Sequence, residues 1–347
     1  MRRVVVAAGL AIVGSAPFAL VSNAAAADSV KPAVVGLVDR QRTIDDNWAG
    51  VIRGVVVQVD WAALQPTRDG PIVTNNPIDA AVTAVQAYNQ RHPDATLGIK
   101  LRVMAGRGSP QWLKDRAGYQ FVQSPVDQSS GTVPFWWKRQ VDTAYRALQQ
   151  ALAARYDGIP EIREVQITRC TVLYDEPFMR ITGDRVALTA FVANGLTRAA
   201  DQTCYKQEVQ AHAVWHQTRS VLALNPYQDP ATVPITDVDF TVSMAKQCRR
   251  LLTNRCVIEN HSIRETSLGA DYDKLYKKMT VLGRPMAMQT NRPDVLGDLG
   301  VVLRRCVGMG AEAVELPWTY RQMTPEAFRA AYGDVISALD PAVVAVP

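Results

Sequence analysis

The sequence contains no Cys-x-x-Cys, no G-x-G-x-x-G and no G-x-S-x-G. Those gaps argue against a zinc ribbon or dithiol centre, a dinucleotide-binding turn and a serine nucleophile elbow. Histidine is scarce, at 4 in 347 residues, which leaves little for a histidine-rich metal site. Basic residues form no run and the formal charge is only +5, so no nucleic-acid partner is expected. After the amino terminus no apolar stretch is long enough to cross a bilayer. Internal repeats and low-complexity linkers are also lacking.

What is present begins with a leader. Arg2 and Arg3 precede an apolar run from Val4 to Val21, and SNAAAADS places Ala25 and Ala27 at the small-x-small positions of a cleavage site. The expectation is a signal peptide over 1–27, a single domain over 28–347 and a secreted protein with no integral membrane association after cleavage. A retained leader anchor is the alternative. Without Arg2 and Arg3 the formal charge falls from +5 to +3. Five cysteines in an exported chain favour disulfides. Cys248 with Cys256 is the nearest pair and Cys170 with Cys204 the next most natural, leaving Cys306 as a buried thiol, although five cysteines permit many connectivities.

Short apolar runs alternate with longer amphipathic ones. The expected strands cover 33–39, 54–60, 97–104, 164–170, 220–225, 256–260, 285–290 and 313–317. They are apolar on both faces, as parallel strands covered by helices are. Helical periodicity follows all but the first, where QRTIDDNWAG is too short for a full helix. Eight strand–helix repeats predict an α/β fold, a single (β/α)8 TIM barrel. A doubly wound open sheet is the runner-up, but LVDRQRTIDD offers no glycine for its phosphate loop.

In such a barrel the working residues gather where strands end. Here those ends carry Asp39, Asp60 with Trp61, Arg102, Asn225, Glu259 with His261, Gln289 and Glu315, and the loop after the fourth strand carries Asp175 and Glu176. Carboxylates following apolar strands point into the barrel mouth, where they need a reason to be tolerated. Alternation turns Val257 and Glu259 inward together, and Ala313 with Glu315. His212 and His216, four apart before the fifth strand, are expected on a solvated helix face at the barrel floor.

Several stretches resemble clan-A glycoside hydrolases of the β-galactosidase and cellulase type. GVVVQVDWAALQPTRDG is similar to their second strand, AGRGSPQWL to the G-x-x-x-P-x-W-L stretch of the β-galactosidase branch, and YDEP to the N-E-P that carries the acid/base glutamate. The resemblance implies Glu176 as that acid/base. Two positions depart from the pattern: Asp175 stands in place of asparagine, and PMAMQT puts Gln289 where the nucleophile glutamate should close the seventh strand. An amide cannot replace a carboxylate nucleophile, so Glu315 or Glu259, ending the flanking strands, is the expected second carboxyl group. The alternative for either is a structural carboxylate paired with Lys100, Arg102 or Arg107.

The expected activity is hydrolysis of O-glycosidic bonds in a poly- or oligosaccharide by a carboxylate pair. Substrate binding is assigned to Asp60, Trp61, Arg102, Trp112, Asp175, Asn225, His261, Gln289 and Trp318. No metal and no cofactor are expected, and the chain is expected to be a monomer. The rival is a non-catalytic carbohydrate-binding barrel, favoured by Gln289. A metal-dependent hydrolase ranks third, since only His261 lies at a strand end.

Overall fold

The computed structural model describes residues 30–179, 184–230, 232 and 235–339, so the expected leader lies outside the described residues. Eight strands close a parallel barrel: β1 (Gly36–Asp39), β2 (Ile52–Asp60), β3 (Gly98–Met104), β4 (Ile162–Gln166), β5 (Arg219–Ala223), β6 (Cys256–Ile263), β7 (Met286–Thr290) and β8 (Ala313–Glu315). Closure comes from β1 pairing β8, with Gly36 opposite Ala313 and Val38 opposite Glu315. This is the (β/α)8 barrel that the alternation predicts.

Inward residues form layers. Val38, Val56, Val221, Val257, Ala287 and Ala313 make a small apolar cluster apart from the main core. Two residues further along β6, β7 and β8, on the same face, stand Glu259, Gln289 and Glu315. The apolar cluster thus gives way to polar side chains toward the carboxyl ends of these strands, while Glu164, in β4, accepts from Val34 N at 3.0 Å.

The outer layer follows from helical periodicity. In α1 (Pro77–Arg91) the buried positions are Ile78, Val82, Val85 and Tyr88, the spacing of one helix face. Asn76 starts it with a capping box, accepting from Ile78 N at 2.8 Å while Asp79 accepts from Asn76 N at 3.2 Å. The periodicity predicts two helical stretches before β5, RVALTAFVANGLTRAA and CYKQEVQAHAVWHQ; the chain does make two, but breaks earlier, giving Arg185–Ala193 and Arg198–Ala211. Gly195 lies between them at φ +93°, and Thr197 caps the second by accepting from Ala200 N at 3.1 Å. Further helices cover Arg139–Tyr156, Val238–Leu252, Ala270–Leu282, Leu299–Gly308 and Pro325–Ala338. Two antiparallel ribbons, Tyr119–Gln123 with Ser130–Pro134 and Tyr227–Gln228 with Thr236–Asp237, decorate the loops after β3 and β5.

Cys170 bonds Cys204 and Cys248 bonds Cys256, leaving Cys306 buried and free. Among the described residues no helix is long and apolar enough to cross a membrane.

Candidate active site

β4 ends at Gln166, four residues earlier than the periodicity predicts, and the segment after it is a loop. Tertiary contacts fix that loop. Gly106 faces it closely: a Cβ there would lie 2.2 Å from the Val172 carbonyl oxygen, and Arg107 N donates to that oxygen at 3.0 Å. The Cys170–Cys204 disulfide ties the loop to the helix Arg198–Ala211, and Cys170 N donates to the Glu208 carboxylate at 2.9 Å. Beyond Glu176, Phe178 adopts φ +71° and stacks on Tyr205 with ring centroids 4.5 Å apart. A non-glycine residue in that region costs of order 1–3 kcal/mol, so the surrounding contacts hold it there. Asp175 and Glu176 are held on both sides.

The two residues line a cleft of about 750 Å³ at the barrel mouth. Facing them across it or along its walls are Arg40, Tyr174, His261, Tyr272, Gln289 and Trp318. Trp318 is 46% exposed, and the Arg40 guanidinium lies over its ring at 5.5 Å. The Tyr174 hydroxyl donates to Asp127 at 2.9 Å and lies 2.9 Å from the Ser124 hydroxyl.

Beneath the cleft runs a charge network. Lys100 Nζ lies 2.5 Å from Glu259, 3.0 Å from Glu315 and 3.7 Å from Glu164. Arg102 donates through Nη2 to both oxygens of Glu315, at 3.0 and 3.1 Å, and through Nη1 to Gln289 at 3.1 Å. Its Nε lies 2.7 Å from Asp175 and 2.6 Å from the Gln166 amide oxygen. His261 sits between the layers: Nε2 is 3.0 Å from Glu259, and Nδ1 is 3.3 Å from Asp175 and 3.8 Å from Glu176.

Environment separates the two loop carboxyl groups. Burial pushes Glu176 up to about 7; His261 opposes this and the Asp175 charge adds to it. Asp175 is also buried, which raises it, but Arg102 and then His261 overcome burial and hold it below the ordinary aspartate value. Burial likewise acts against the Glu315 charge, yet Arg102 and Lys100 keep that carboxylate well below its usual range. His261 loses basicity to burial and regains more from Asp175 and Glu259, ending above the ordinary histidine value. Glu164 is raised to about 7 by burial in spite of Lys100.

Of the residues assigned from sequence, Glu176, Asp175, His261, Gln289 and Trp318 reach the cleft wall, with Arg102 directly behind them. Glu259 and Glu315, expected as the second catalytic carboxylate, do not line it: both are fully buried and bound to Lys100. Their inward-facing positions are as expected, and Lys100 and Arg102 pair with them below the mouth. Asn225 is fully buried, accepts from Tyr272 at 3.0 Å, and its side-chain amide faces the Glu176 carboxyl group, whose ionised form it favours. Trp61 is fully buried and meets Trp112 edge-on at 6.0 Å, so both belong to the packing between loops, Trp112 donating to Gln65 O at 3.1 Å. Asp60 is exposed and lies against Gly108, away from the cleft. His212 departs from the solvated face expected for it: it is buried, 2.8 Å from the Tyr145 hydroxyl and 3.1 Å from Ser220, and burial drops it to about 3. His216 lies beyond the helix and is exposed.

Arg40 and Tyr272 are cleft residues that strand-end reasoning missed. Arg40 follows Asp39 directly, so one more residue at β1 would have included it. Tyr272 comes from the helix Ala270–Leu282, and nothing local to the sequence signals its approach.

Oxygens of Asp175 and Glu176 and a ring nitrogen of His261 lie within 4.8 Å of one another, as do ligand atoms of Glu259, His261 and Glu315. Such spacing suits a divalent cation, but Arg102 and Lys100 already supply the positive charge that these carboxylates need.

Among solved structures the chain is similar to a cold-adapted β-galactosidase from Rahnella sp. R3, at 12% identity and a TM-score of 0.53, over 91% of this chain and 57% of that one. A β-galactosidase from the psychrophilic Marinomonas ef1 matches at 13% identity and a TM-score of 0.50, over 82% and 54%. The fold shared with these structures is the (β/α)8 barrel. At these identities the likeness is one of architecture, and the chain spans little more than half the length of either structure. No protein-family profile and no curated protein sequence matches it.

Proposed function

We propose that this protein is a glycoside hydrolase in which Glu176 is the general acid, and that its substrate is a carbohydrate bound in the barrel-mouth cleft. The observation that carries this is the division of labour within one loop: Glu176 holds its proton up to about 7 while Asp175, beside it, is kept ionised by Arg102. Two carboxyl groups pushed apart in this way supply a proton donor and a charge stabiliser at one site. Trp318 and Tyr174 offer faces for a sugar ring, and Gln289 an amide for hydroxyl groups. The two disulfides support export through the leader read from the sequence.

A second reading keeps the cleft for sugar binding without turnover. It is favoured by Gln289, which puts near the end of β7 an amide already bonded to Arg102. The test is a panel of chromogenic glycosides and polysaccharides assayed with the mature protein and with Glu176→Gln. Turnover reduced at least about 100-fold by the substitution supports the hydrolase. Retention of sugar with no turnover, indifferent to Glu176→Gln, supports the binding barrel instead.

A further inference from the structure

Hydrolysis with retention needs a nucleophile as well as an acid, and the nucleophile must reach the sugar's anomeric carbon from the face opposite the leaving group. The carboxylates on the cleft wall among the described residues are Asp127, Asp175 and Glu176. Glu259 and Glu315 are fully buried with Lys100 and Arg102, and β7 offers Gln289 one residue before its end. Asp127 is occupied by the Tyr174 hydroxyl at 2.9 Å and by Ser129 N at 3.1 Å. Asp175 cannot straddle a sugar with Glu176: the two are consecutive, their oxygens lie within 4.8 Å, and His261 Nδ1 closes the space beside them at 3.3 and 3.8 Å. Both carboxyl groups therefore meet a substrate from the same side.

We infer that the substrate supplies its own nucleophile, so that this chain cleaves β-linked 2-acetamido-2-deoxy sugars, with Asp175 gripping the acetamido N–H while Glu176 serves the glycosidic oxygen. This rests on the hydrolase reading above and names its substrate class. The geometry fits the chemistry. The glycosidic oxygen and the amide nitrogen sit on adjacent sugar carbons, so the groups that serve them must themselves be neighbours, as Asp175 and Glu176 are. Arg102 Nε and Gln166 reach Asp175 at Oδ2, and His261 Nδ1 lies on the same side; none of these contacts falls on Oδ1, which is left to accept the N–H.

The step balances without any further reagent. Glu176 gives its proton to the glycosidic oxygen, and the bond from that oxygen to the anomeric carbon breaks with its electron pair leaving as the alcohol. The acetamido carbonyl oxygen forms a bond to the anomeric carbon from the opposite face, giving a cyclic oxazolinium ion whose positive charge Asp175 stabilises. Water then attacks the anomeric carbon, Glu176 carboxylate takes its proton, the ring reopens, and sugar and enzyme return to their starting states with retained configuration.

The test compares matched 4-nitrophenyl β-glycosides carrying either an acetamido or a hydroxyl group at C2, in the gluco and galacto series, together with a series whose acetamido methyl bears one, two or three fluorines. Cleavage confined to the acetamido compounds, falling steeply with each fluorine and lowered about 10²–10³-fold by Asp175→Asn, is the expected result. Equal cleavage of 2-hydroxy glycosides, or a flat fluorine series, overturns this inference and leaves the hydrolase reading in place. Failure to cleave any glycoside of either kind by a folded protein overturns both. Should Asp175→Asn not fold, the fluorine series on the unaltered protein still decides.

Discussion

The amide oxygen of Gln289 accepts a hydrogen bond from Nη1 of Arg102 at 3.1 Å. The same guanidinium already faces Asp175 and Glu315, so its charge is spent on two carboxylates before it reaches the end of β7. A neutral partner there completes its hydrogen bonds without adding a third negative charge to a buried site.

Replacing that amide with a carboxylate therefore harms the site. Gln289→Glu is expected to draw Arg102 away from Asp175 and to lower kcat roughly tenfold, a cost of about 1.4 kcal/mol in the barrier. Steady-state kinetics on the best chromogenic glycoside measure it. A rise in turnover would mean that the chain lacks only a nucleophile, and would count against a substrate-borne one.

The pH profile should carry the signature of Glu176. Its protonated form is the reactive one, so kcat/KM falls as pH rises through about 7. His261 lowers Glu176 and Asp175 raises it. His261→Asn should thus move the alkaline limb upward, and Asp175→Asn should move it downward in whatever activity remains. Limbs that stay in place in both variants would remove Glu176 as the titrating acid.

Lys100 neutralises the ionic layer inside the barrel. Lys100→Met leaves Glu259, Glu315 and Glu164 buried without their ammonium, at an expected cost of about 3–5 kcal/mol in chemical denaturation at neutral pH. The sign with pH follows from Glu315, whose folded-state value is depressed. Its contribution is present above the unfolded carboxylate value and lost as pH falls through the folded one. The deficit of the variant should accordingly be largest at neutral pH and shrink on acidification.

The two disulfides should differ in worth. Cys170–Cys204 closes 34 residues and Cys248–Cys256 closes 8, which in the chain-entropy account are worth about 4 and about 2.5 kcal/mol. Alanine pairs at each site, compared by thermal unfolding, test the order. Loss of the first should also reduce turnover, because that bond anchors the loop carrying Asp175 and Glu176.

The sequence alone reached the barrel because its evidence is local. Eight apolar runs spaced by amphipathic ones specify which segments are buried strands, and period-two alternation turned Glu259 and Glu315 inward as read. Glu176 was legible for the same reason, since a carboxylate soon after a strand must lie near the mouth. The two cysteine pairs were the shortest separations among many possible connectivities, and only the packed structure singles them out.

Partnership was the part that local pattern does not carry. Whether Glu259 or Glu315 is free to act depends on Lys100 and Arg102, which alternate inward from β3 and meet them only because the barrel closes. The same closure buried Trp61, withdrew Asp60 from the cleft, and brought in Arg40 and Tyr272 from segments far apart in the chain. A side chain's direction is set by its neighbours along the strand, and residue order encodes that. Its charge state and exposure are set by what stands across the cavity, and that is decided only when distant segments pack.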